Sequence, residues 1–508
     1  MALSKLVKYR DNQYMVLERS NSSPVPALKH GAHIHLIGIC GTAMASLAGL
    51  LQSRGYLVTG SDSNPYPPMS TQLTKLGIAI RQPYRAENLN PRPDFVIVGN
   101  VISRGNPEAQ ELLKLGIPYT SLPRAMGEWI IGEKTSVVVA GTHGKTTTTS
   151  LLSWVLTHAR KNPGFLIGGI PRNFDLSFRA TDGDLFVIEG DEYDTAFFDK
   201  VPKFVHYRPK HVILTSVEFD HADIYRDLEH VKSAFRQLLQ LIPQEGTLTY
   251  WSGDPNIRSI LSDCHAQMRP YSEGEGEGLQ WVGSRDLADG SVELDLRSRG
   301  EQWSFRTRLT GTYNYLNLMA VWSVVQILGV APEVFQSALD SFEGVKRRQE
   351  ILGEPRGVLV IEDFAHHPTA VRETLKGLRR RYPHRKLFAV FEPRSATSRR
   401  KIFQKDYVQA FIGADRVFIA EAFDQSKIQE QDRFSSAELV EDLRKQCLQA
   451  EVFSSVDRAV QLISKEARSG NMVVIMSNGG FDGIYGKILS ALSGGGNGTQ
   501  QKTVTSAS

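Results

Sequence analysis

Val137-Val138-Val139-Ala140-Gly141-Thr142-His143-Gly144-Lys145-Thr146-Thr147-Thr148 decides the fold. An apolar strand runs into a glycine turn, and a helix-like stretch from Ser150 to Leu156 follows. The glycines permit a tight turn whose N–H groups face an anion, and the following helix adds its positive end. Lys145 reaches toward phosphates, and a threonine hydroxyl stands where a magnesium ion would sit. Strand, loop and helix in that order predict a nucleotide-binding unit in an α/β protein. One feature departs from the usual phosphate loop, which has four residues between its glycines: Gly141 and Gly144 are separated by two.

Working outward, the same alternation recurs on both sides. Upstream, Ile34 to Ile37 reads as a strand, Gly38 to Gly41 as a glycine turn, Met44 to Arg54 as a helix and Tyr56 to Thr59 as a second strand, with a further run at Phe95 to Val98. Downstream, strands are expected at Leu185 to Ile188 and Val212 to Thr215, with helices at Leu228 to Leu241 and Tyr315 to Leu328. After Gly344 a third alternation begins, with strands at Val358 to Ile361, Leu387 to Phe391, Arg416 to Ile419 and Met472 to Met476. Such alternation predicts parallel sheets flanked by helices. The expected segments are an N-terminal extension over 1–30, then domains over 31–130, 131–345 and 346–490, then a disordered tail over 491–508 that is poor in core-forming residues. Residues 273–278 alternate Glu and Gly and read as a loop.

Composition fits this layout. A chain of 508 residues exceeds the size of one hydrophobic core, and 41% hydrophobic with 22% charged residues is ordinary for globular proteins. A formal net charge of +4 is too small to point to nucleic acid. The densest basic run, Arg379, Arg380, Arg381, His384, Arg385 and Lys386, reads as a solvated helix end. The cysteines Cys40, Cys264 and Cys447 show no pairing or metal-ligand spacing, which predicts a reducing compartment. No apolar run reaches a membrane span and no secretory segment opens the chain, so the expected location is the cytoplasm.

Acidic clusters follow the two strands downstream of the phosphate loop: Glu189-Gly190-Asp191-Glu192-Tyr193-Asp194 and Glu218-Phe219-Asp220-His221-Ala222-Asp223. In a parallel sheet both fall at strand C-terminal ends, where such folds bind ligands. Carboxylates there hold a hard cation or cap helices, and Glu189 and His221 are the favoured ligands.

Together these residues resemble the Mur ligase family, the ATP-dependent enzymes that build the peptidoglycan precursor. The elements are Gly38 to Met44, the short loop Gly141 to Thr146, Glu189 to Asp194, Asp220 to Asp223 and the pair Asn314 and Asn317, in the family's order from about His33 to Lys487. The resemblance explains the shortened loop. It implies a three-domain architecture: a Rossmann-like UDP-binding domain, a central P-loop ATPase domain and a C-terminal Rossmann-like acceptor domain.

Ile37 to Met44 and Phe364-Ala365-His366-His367-Pro368 are similar to the branch whose members add either alanine or a tripeptide to UDP-N-acetylmuramate. Phe197-Phe198-Asp199-Lys200, Phe204 to Tyr207, Gly99-Asn100 with Arg104 to Pro107, and Ser477 to Phe481 are similar to the tripeptide-adding members. After Phe391-Glu392-Pro393 the run Arg394-Ser395-Ala396-Thr397-Ser398 has less bulk and charge than the alanine-adding pattern, implying a roomier acceptor pocket.

What the resemblance implies is an amide ligase. The lactyl carboxylate of UDP-N-acetylmuramate becomes an acyl phosphate at the expense of ATP, and the amine of L-alanyl-γ-D-glutamyl-meso-diaminopimelate then attacks it. The alternative acceptor is L-alanine. Lys145, Arg348, His221 and Asp363 are the expected catalytic group. Gly141, Thr142, His143, Gly144, Lys145, Thr146, Thr147, Asn314 and Asn317 are expected to bind ATP, and Thr146, Glu189 and His221 to hold Mg2+. Gly38, Gly41, Thr42, Met44 and Asp62 are expected to line the UDP-sugar site, and His366, His367, Arg394 and Thr397 the acceptor site. Arg347 and Arg348 are not separable by sequence. His-His-Pro at a helix start reads equally as a structural cap, and the family histidine before Asn314 is Tyr313 here. A carbamoylated lysine is not expected, since Lys232 falls a turn too early and Arg236 stands at the matching distance. Two other classes are weighed on residues alone, and the phosphate loop counts against the second. A binding switch would hydrolyse ATP without an acceptor, and an NAD-dependent oxidoreductase would use Gly38 to Met44 but leave the phosphate loop unexplained.

Overall fold

A computed structural model describes residues 25–494 apart from Tyr66. The extension expected over 1–30 and the tail expected over 491–508 therefore lie mostly outside the described residues. The last helix, Ile484–Ser493, runs into the expected tail and ends on Gly494 in the left-handed conformation. Leu492 is buried against the core and holds that last turn.

The described residues divide into two compact units, the first running to Gly132 and including Asp194–Val201, the second comprising Glu133–Tyr193 and the residues from Pro202 onward. The first is built on a five-stranded parallel sheet in the order Ile80–Arg81, Leu57–Ser61, His33–Ile37, Phe95–Val98, Tyr119–Ser121. The hairpin Asp194–Ala196 and Asp199–Pro202 was expected in the central domain but belongs chiefly to this unit. Its Phe198 ring meets Tyr119 edge-on at 4.9 Å, and Ser121 Oγ donates to Asp199 at 3.2 Å.

The second unit carries two sheets. The larger has ten strands, in the order Glu301–Thr307, Val292–Ser298, Leu279–Asp286, Gln267–Glu273, Thr247–Trp251, Pro209–Leu214, Thr135–Ala140, Leu185–Gly190, Gly164–Leu166, Phe178–Arg179. Its middle is parallel, and the antiparallel hairpin Val292–Ser298 with Glu301–Thr307 extends one side. That hairpin turns on Arg299 and Gly300, both at positive φ, as a two-residue turn between twisted strands requires. Glu273 ends a strand, so the Glu–Gly loop begins at Gly274.

The helix Thr312–Ile327 is apolar nearly all round because it is covered on most sides, a pattern reserved for core helices. Trp322 packs there with its ring centre 5.0 Å from Phe305 and 4.9 Å from Phe335. The other sheet has six strands, Glu350–Gly353, Leu359–Asp363, Asn471–Met476, Lys386–Phe391, Arg416–Ala420 and Gln449–Phe453, antiparallel only at its first pair.

The basic run at 379–386 ends the helix Pro368–Arg381 and is largely tied down rather than solvated. Arg379 pairs with Asp415, Arg380 bonds Asp286, and Arg385 pairs with Glu354. Among the described residues no helix is long and apolar enough to cross a membrane.

Candidate active site

Ala140 is paired laterally with Gly190 on one side and Leu214 on the other. In a parallel arrangement everything that follows these strands leaves the sheet at one edge, which brings Gly141–Gly144, Asp191–Tyr193 and Thr215–Asp220 together. The helix Lys145–His158 begins here behind Gly144, with no acidic residue in its first turn. Its threonine run is a poor helix former, but Thr149 Oγ1 and Ser150 Oγ donate to the carbonyls four residues back, and Leu151, Leu152, Val155 and Leu156 are buried.

Both loop glycines are required by space as well as by φ. A Cβ at Gly141, φ +127°, would lie 2.2 Å from Thr215 Oγ1, and one at Gly144, φ +82°, would lie 2.6 Å from Asn317 Oδ1. Asn317 is thus seated against the loop itself, while Asn314 donates to Thr310 O at 2.8 Å and holds its own helix start. Thr142 Oγ1 both accepts from Glu218 N and donates to Glu218 O, and Thr215 Oγ1 donates to His143 O. The loop is therefore pinned to the next strand end before any ligand arrives.

Lys145 Nζ donates to Gly141 O at 2.6 Å and to Glu192 at 3.1 Å. Burial disfavours its charge, but Glu192, Asp191 and Glu189 outweigh that and hold the ammonium protonated. Thr146 Oγ1 donates to Glu189 at 3.1 Å, and Arg348 reaches the same hydroxyl at 3.3 Å. Burial and the neighbouring Asp191 push the Glu189 carboxyl up to about 7. Lys203, 3.0 Å away, keeps Asp191 below the ordinary carboxylate range despite its burial. His221, at φ +53°, stands 3.6 Å from Glu192.

Arg347 and Arg348, inseparable by sequence, part company here. Arg347 pairs with Glu362 at 2.6 Å and donates to Ser477 O and Gly479 O within the six-stranded sheet. Arg348 turns to the phosphate loop and lies over the Phe364 ring at 4.6 Å. Arg347 and Gln349 both sit at positive φ, so the linker leaving the central sheet stores backbone strain at the point that aims Arg348. Tyr313, in place of the family histidine, accepts from Gln349 Nε2 at 2.6 Å.

On the six-stranded sheet Asp363, Met476 and Phe391 are lateral neighbours, so Phe364–His367, Ser477–Gly479 and Glu392–Thr397 share an edge. Several residues expected to face an acceptor are turned inward. Asp363 accepts from Gln349 N and Ala365 N, each at 2.8 Å, so its oxygens serve the chain. His367 caps the helix Pro368–Arg381 and also bonds Phe219 O. Thr397 Oγ1 donates to Asp220, which His366 also approaches at 3.7 Å. Arg394 pairs with Glu392 at 3.1 Å and lies over the Phe423 ring at 3.8 Å. Carboxylates held by these partners include Glu218, kept down at about 2 despite burial, chiefly by His143 and His367.

The first unit holds the other glycine turn. Gly38, φ +84°, and Ile39 donate from their N–H groups to Ser61 O, and Cys40 N–H donates to Asp62 Oδ2 at 2.9 Å. Burial and Asp62 push the Cys40 thiol up to about 12, so it stays un-ionised. Thr42 and Met44 open the helix Thr42–Ser53, with Met44 buried.

Sequence reading missed Glu192, which neutralises Lys145, and Glu218 and Asp220, which take up the Thr142 and Thr397 contacts. Their position after parallel strands was visible, but their partners lie far along the chain. For Glu192 a three-residue offset from Glu189 at a strand end was the available signal.

The matched family models are "Mur ligase family, catalytic domain" over residues 33–134, "Mur ligase middle domain" over 139–325 and "Mur ligase, glutamate ligase domain" over 347–479. The chain is similar to UDP-N-acetylmuramate--L-alanyl-gamma-D-glutamyl-meso-2,6-diaminoheptandioate ligase of Escherichia coli K12, at 41% identity over 90% of this chain and 98% of that one. A UDP-N-acetylmuramate--L-alanine ligase of Clostridium tetani is 31% identical over 89% and 96%. Among solved structures, a murein peptide ligase from Psychrobacter arcticus 273-4 matches with a TM-score of 0.70 at 35% identity, covering 92% of this chain and all of that one.

Proposed function

The chain belongs to the Mur ligase family, and from that premise we propose that it joins UDP-N-acetylmuramate to the tripeptide L-alanyl-γ-D-glutamyl-meso-diaminopimelate. It is a carbon–nitrogen ligase, and the family is ATP-dependent. The observation that carries the choice of acceptor is the 41% identity, over 90% of this chain, with a ligase of that name, against 31% with an alanine ligase. The reaction places the enzyme in peptidoglycan recycling, and the soluble substrates fit a cytoplasmic location.

An amine cannot expel oxide from a carboxylate, so the carboxylate first takes the γ-phosphoryl group of ATP, releasing ADP, and the amine then displaces phosphate from the acyl phosphate. Phosphoryl transfer needs positioning and positive charge more than covalent chemistry. Lys145 is the protonated cation nearest the loop, and Arg348 adds a second charge beside Thr146. The loop N–H groups and the start of Lys145–His158 receive phosphate oxygens.

Thr146, Glu189 and His221 are proposed to hold Mg2+. The fit rests on Thr146 and Glu189, a buried carboxylate whose oxygen already accepts the threonine hydroxyl among an excess of acidic neighbours, two hard-oxygen donors to which His221 would add one nitrogen. When bound, the ion supplies Lewis-acid polarisation of phosphate oxygens.

Gly38, Gly41, Thr42, Met44 and Asp62 are assigned to the UDP-sugar. Arg394 and His366 offer the polar groups nearest the acceptor edge, and Asp363, His367 and Thr397 position the segments that carry them. The proposed domains are those of the three family models, with the hairpin around Phe198 given to the first.

The test offers purified enzyme ATP, Mg2+ and UDP-N-acetylmuramate with either the diaminopimelate tripeptide or L-alanine, and reads products by mass. Joining of the tripeptide alone is expected. Equal or better joining of alanine would overturn the choice of acceptor.

A further inference from the structure

Away from the cluster of Thr146 and Glu189, three metal-competent side chains converge. His143 comes from the phosphate loop, Glu218 from the end of the adjacent strand region, and His367 from the helix start on the six-stranded sheet. One donor atom from each lies within 4.8 Å of the other two. His143 Nε2 stands 3.4 Å from Glu218 Oε2, and His367 Nδ1 stands 3.5 Å from the same oxygen. A tetrahedral ion with bonds of about 2.1 Å holds its donors about 3.4 Å apart. Both measured edges already have that length.

Two of the three donors are also oriented by other contacts. His367 Nε2 lies 3.2 Å from Phe219 O, so that nitrogen carries the proton and Nδ1 holds the lone pair, which accepts a long cap bond of 3.3 Å from Thr369 N and would exchange it for the ion. Glu218 Oε2 accepts from Thr369 Oγ1 at 2.8 Å, and the Glu218 backbone is clasped by Thr142. A carbonyl behind a histidine and a hydroxyl on a carboxylate are the outer contacts that metal ligands carry. His143 Nε2 is buried, and its nearest polar contact is Glu218 Oε2, the oxygen that the three donors share.

We propose that His143, Glu218 and His367 form a binding site for a four-coordinate transition-metal ion of the Zn2+ class, distinct from the magnesium site. Two imidazole nitrogens and one carboxylate oxygen suit zinc or cobalt and are poor donors for magnesium, and three protein ligands leave a fourth position open. The bound ion ties the phosphate loop to the residue that caps Pro368–Arg381. It therefore braces the ATP-binding edge against the acceptor-side sheet.

The experiment strips the full-length protein with chelator, supplies excess Mg2+ so that the oxygen-rich site is filled, and titrates Zn2+ against a chromogenic chelator. Co2+ absorption reads coordination number. One Zn2+ per chain, the intense visible bands of four-coordinate Co2+ and a zinc-dependent rise in Tm are expected. Glu218→Gln keeps the shape and the Thr369 contact while removing a ligand charge. Losing an outer contact alone costs about tenfold or more in affinity, so Glu218→Gln and His143→Asn should each weaken zinc by at least that factor. Glu189→Gln should leave zinc binding unchanged. Absence of zinc binding by the unmodified protein, equal binding in Glu218→Gln, six-coordinate cobalt spectra, or loss of zinc in Glu189→Gln would each overturn the proposal.

Discussion

The chain contains two turns of the same spacing, Gly38-Ile39-Cys40-Gly41 and Gly141-Thr142-His143-Gly144, each between a buried parallel strand and a helix. Their electrostatics are opposite. In the first, Asp62 puts its own carboxylate on the Cys40 N–H, so one donor of the turn is already used by an anion of the protein. That turn suits a ligand offering hydroxyls and heterocycle donors beside any phosphate. In the second, the charge brought in is Lys145, with Arg348 close by, and the carboxylates stand one layer back where they hold those cations. Spacing of glycines therefore settles that a backbone turn can approach a ligand, and the first charged residue behind the turn settles which ligand it is.

The largest effect should come from removing the charge that distinguishes the second turn. Lys145→Ala is expected to lower kcat/KM by about 10³-fold, equivalent to about 4 kcal/mol of transition-state stabilisation, as for loss of a preorganised electrostatic group. Steady-state rates at fixed UDP-sugar measure it. A loss below about tenfold would mean that backbone donors and Arg348 suffice, and the contrast between the turns would fail.

The glycines themselves give a smaller test. Gly144 has φ +82° and no room for a Cβ, whereas Gly41 has φ −60° and its nearest neighbour to a Cβ is Gly38 O at 3.6 Å. Gly144→Ala is expected to destabilise by about 1–3 kcal/mol. Gly41→Ala restricts the unfolded chain but places a poor capping residue at the N-cap of Thr42–Ser53, and these offset, so stability should change by less than about 1 kcal/mol. The urea midpoint of Gly144→Ala should fall further than that of Gly41→Ala, and equal falls would mean that the two turns are equally strained.

How much of this was legible beforehand follows from the same contrast. Strand, turn and helix around Gly141 were readable because their cause is local: an apolar run, glycines where a Cβ cannot fit, and hydroxyl-bearing residues that bond back along the helix. Phe95–Val98 and Leu228–Leu241 appeared with the expected bounds for that reason. The hairpin closing on Arg299 and Gly300 went unread because its strands show partial alternation and only one glycine marks the turn. The placement of Phe198 against Tyr119 and the inward turn of Asp363 and His367 depend on partners far along the chain, which no local pattern encodes. Arg347 and Arg348 are the sharpest case, adjacent residues of one type separated only by the positive φ of the linker.

A last effect, spread over a range of pH, concerns the sheet behind each turn, where one buried histidine stands. His35 has a charged partner: its Nε2 is 3.4 Å from Glu108, and Nδ1 contacts Thr59 Oγ1 at 2.8 Å. Burial pushes Glu108 up, but bonds from His35, Ser61 and Asn88 outweigh it and hold the carboxyl below its ordinary value. That stability is present above the unfolded carboxyl value and disappears only as pH falls through the lower folded one. His211, in Pro209–Leu214, has only Thr247 Oγ1 at 2.9 Å, and burial with Lys210 nearby pushes it down to about 4.

Between about pH 6.5 and 4 the unfolded chain therefore protonates His211 while the folded chain does not. Stability is full above pH 6.5 and declines as pH falls toward 4, by about 2 kcal/mol once partial solvent exposure is allowed for. His211→Gln keeps a side-chain amide for Thr247 and cannot take up the proton, so its urea midpoint should vary less with pH across this window than that of the unmodified protein. Equal slopes would place the acid sensitivity elsewhere, and the second sheet would then tolerate charge behind its phosphate loop as readily as the first does behind its glycine turn.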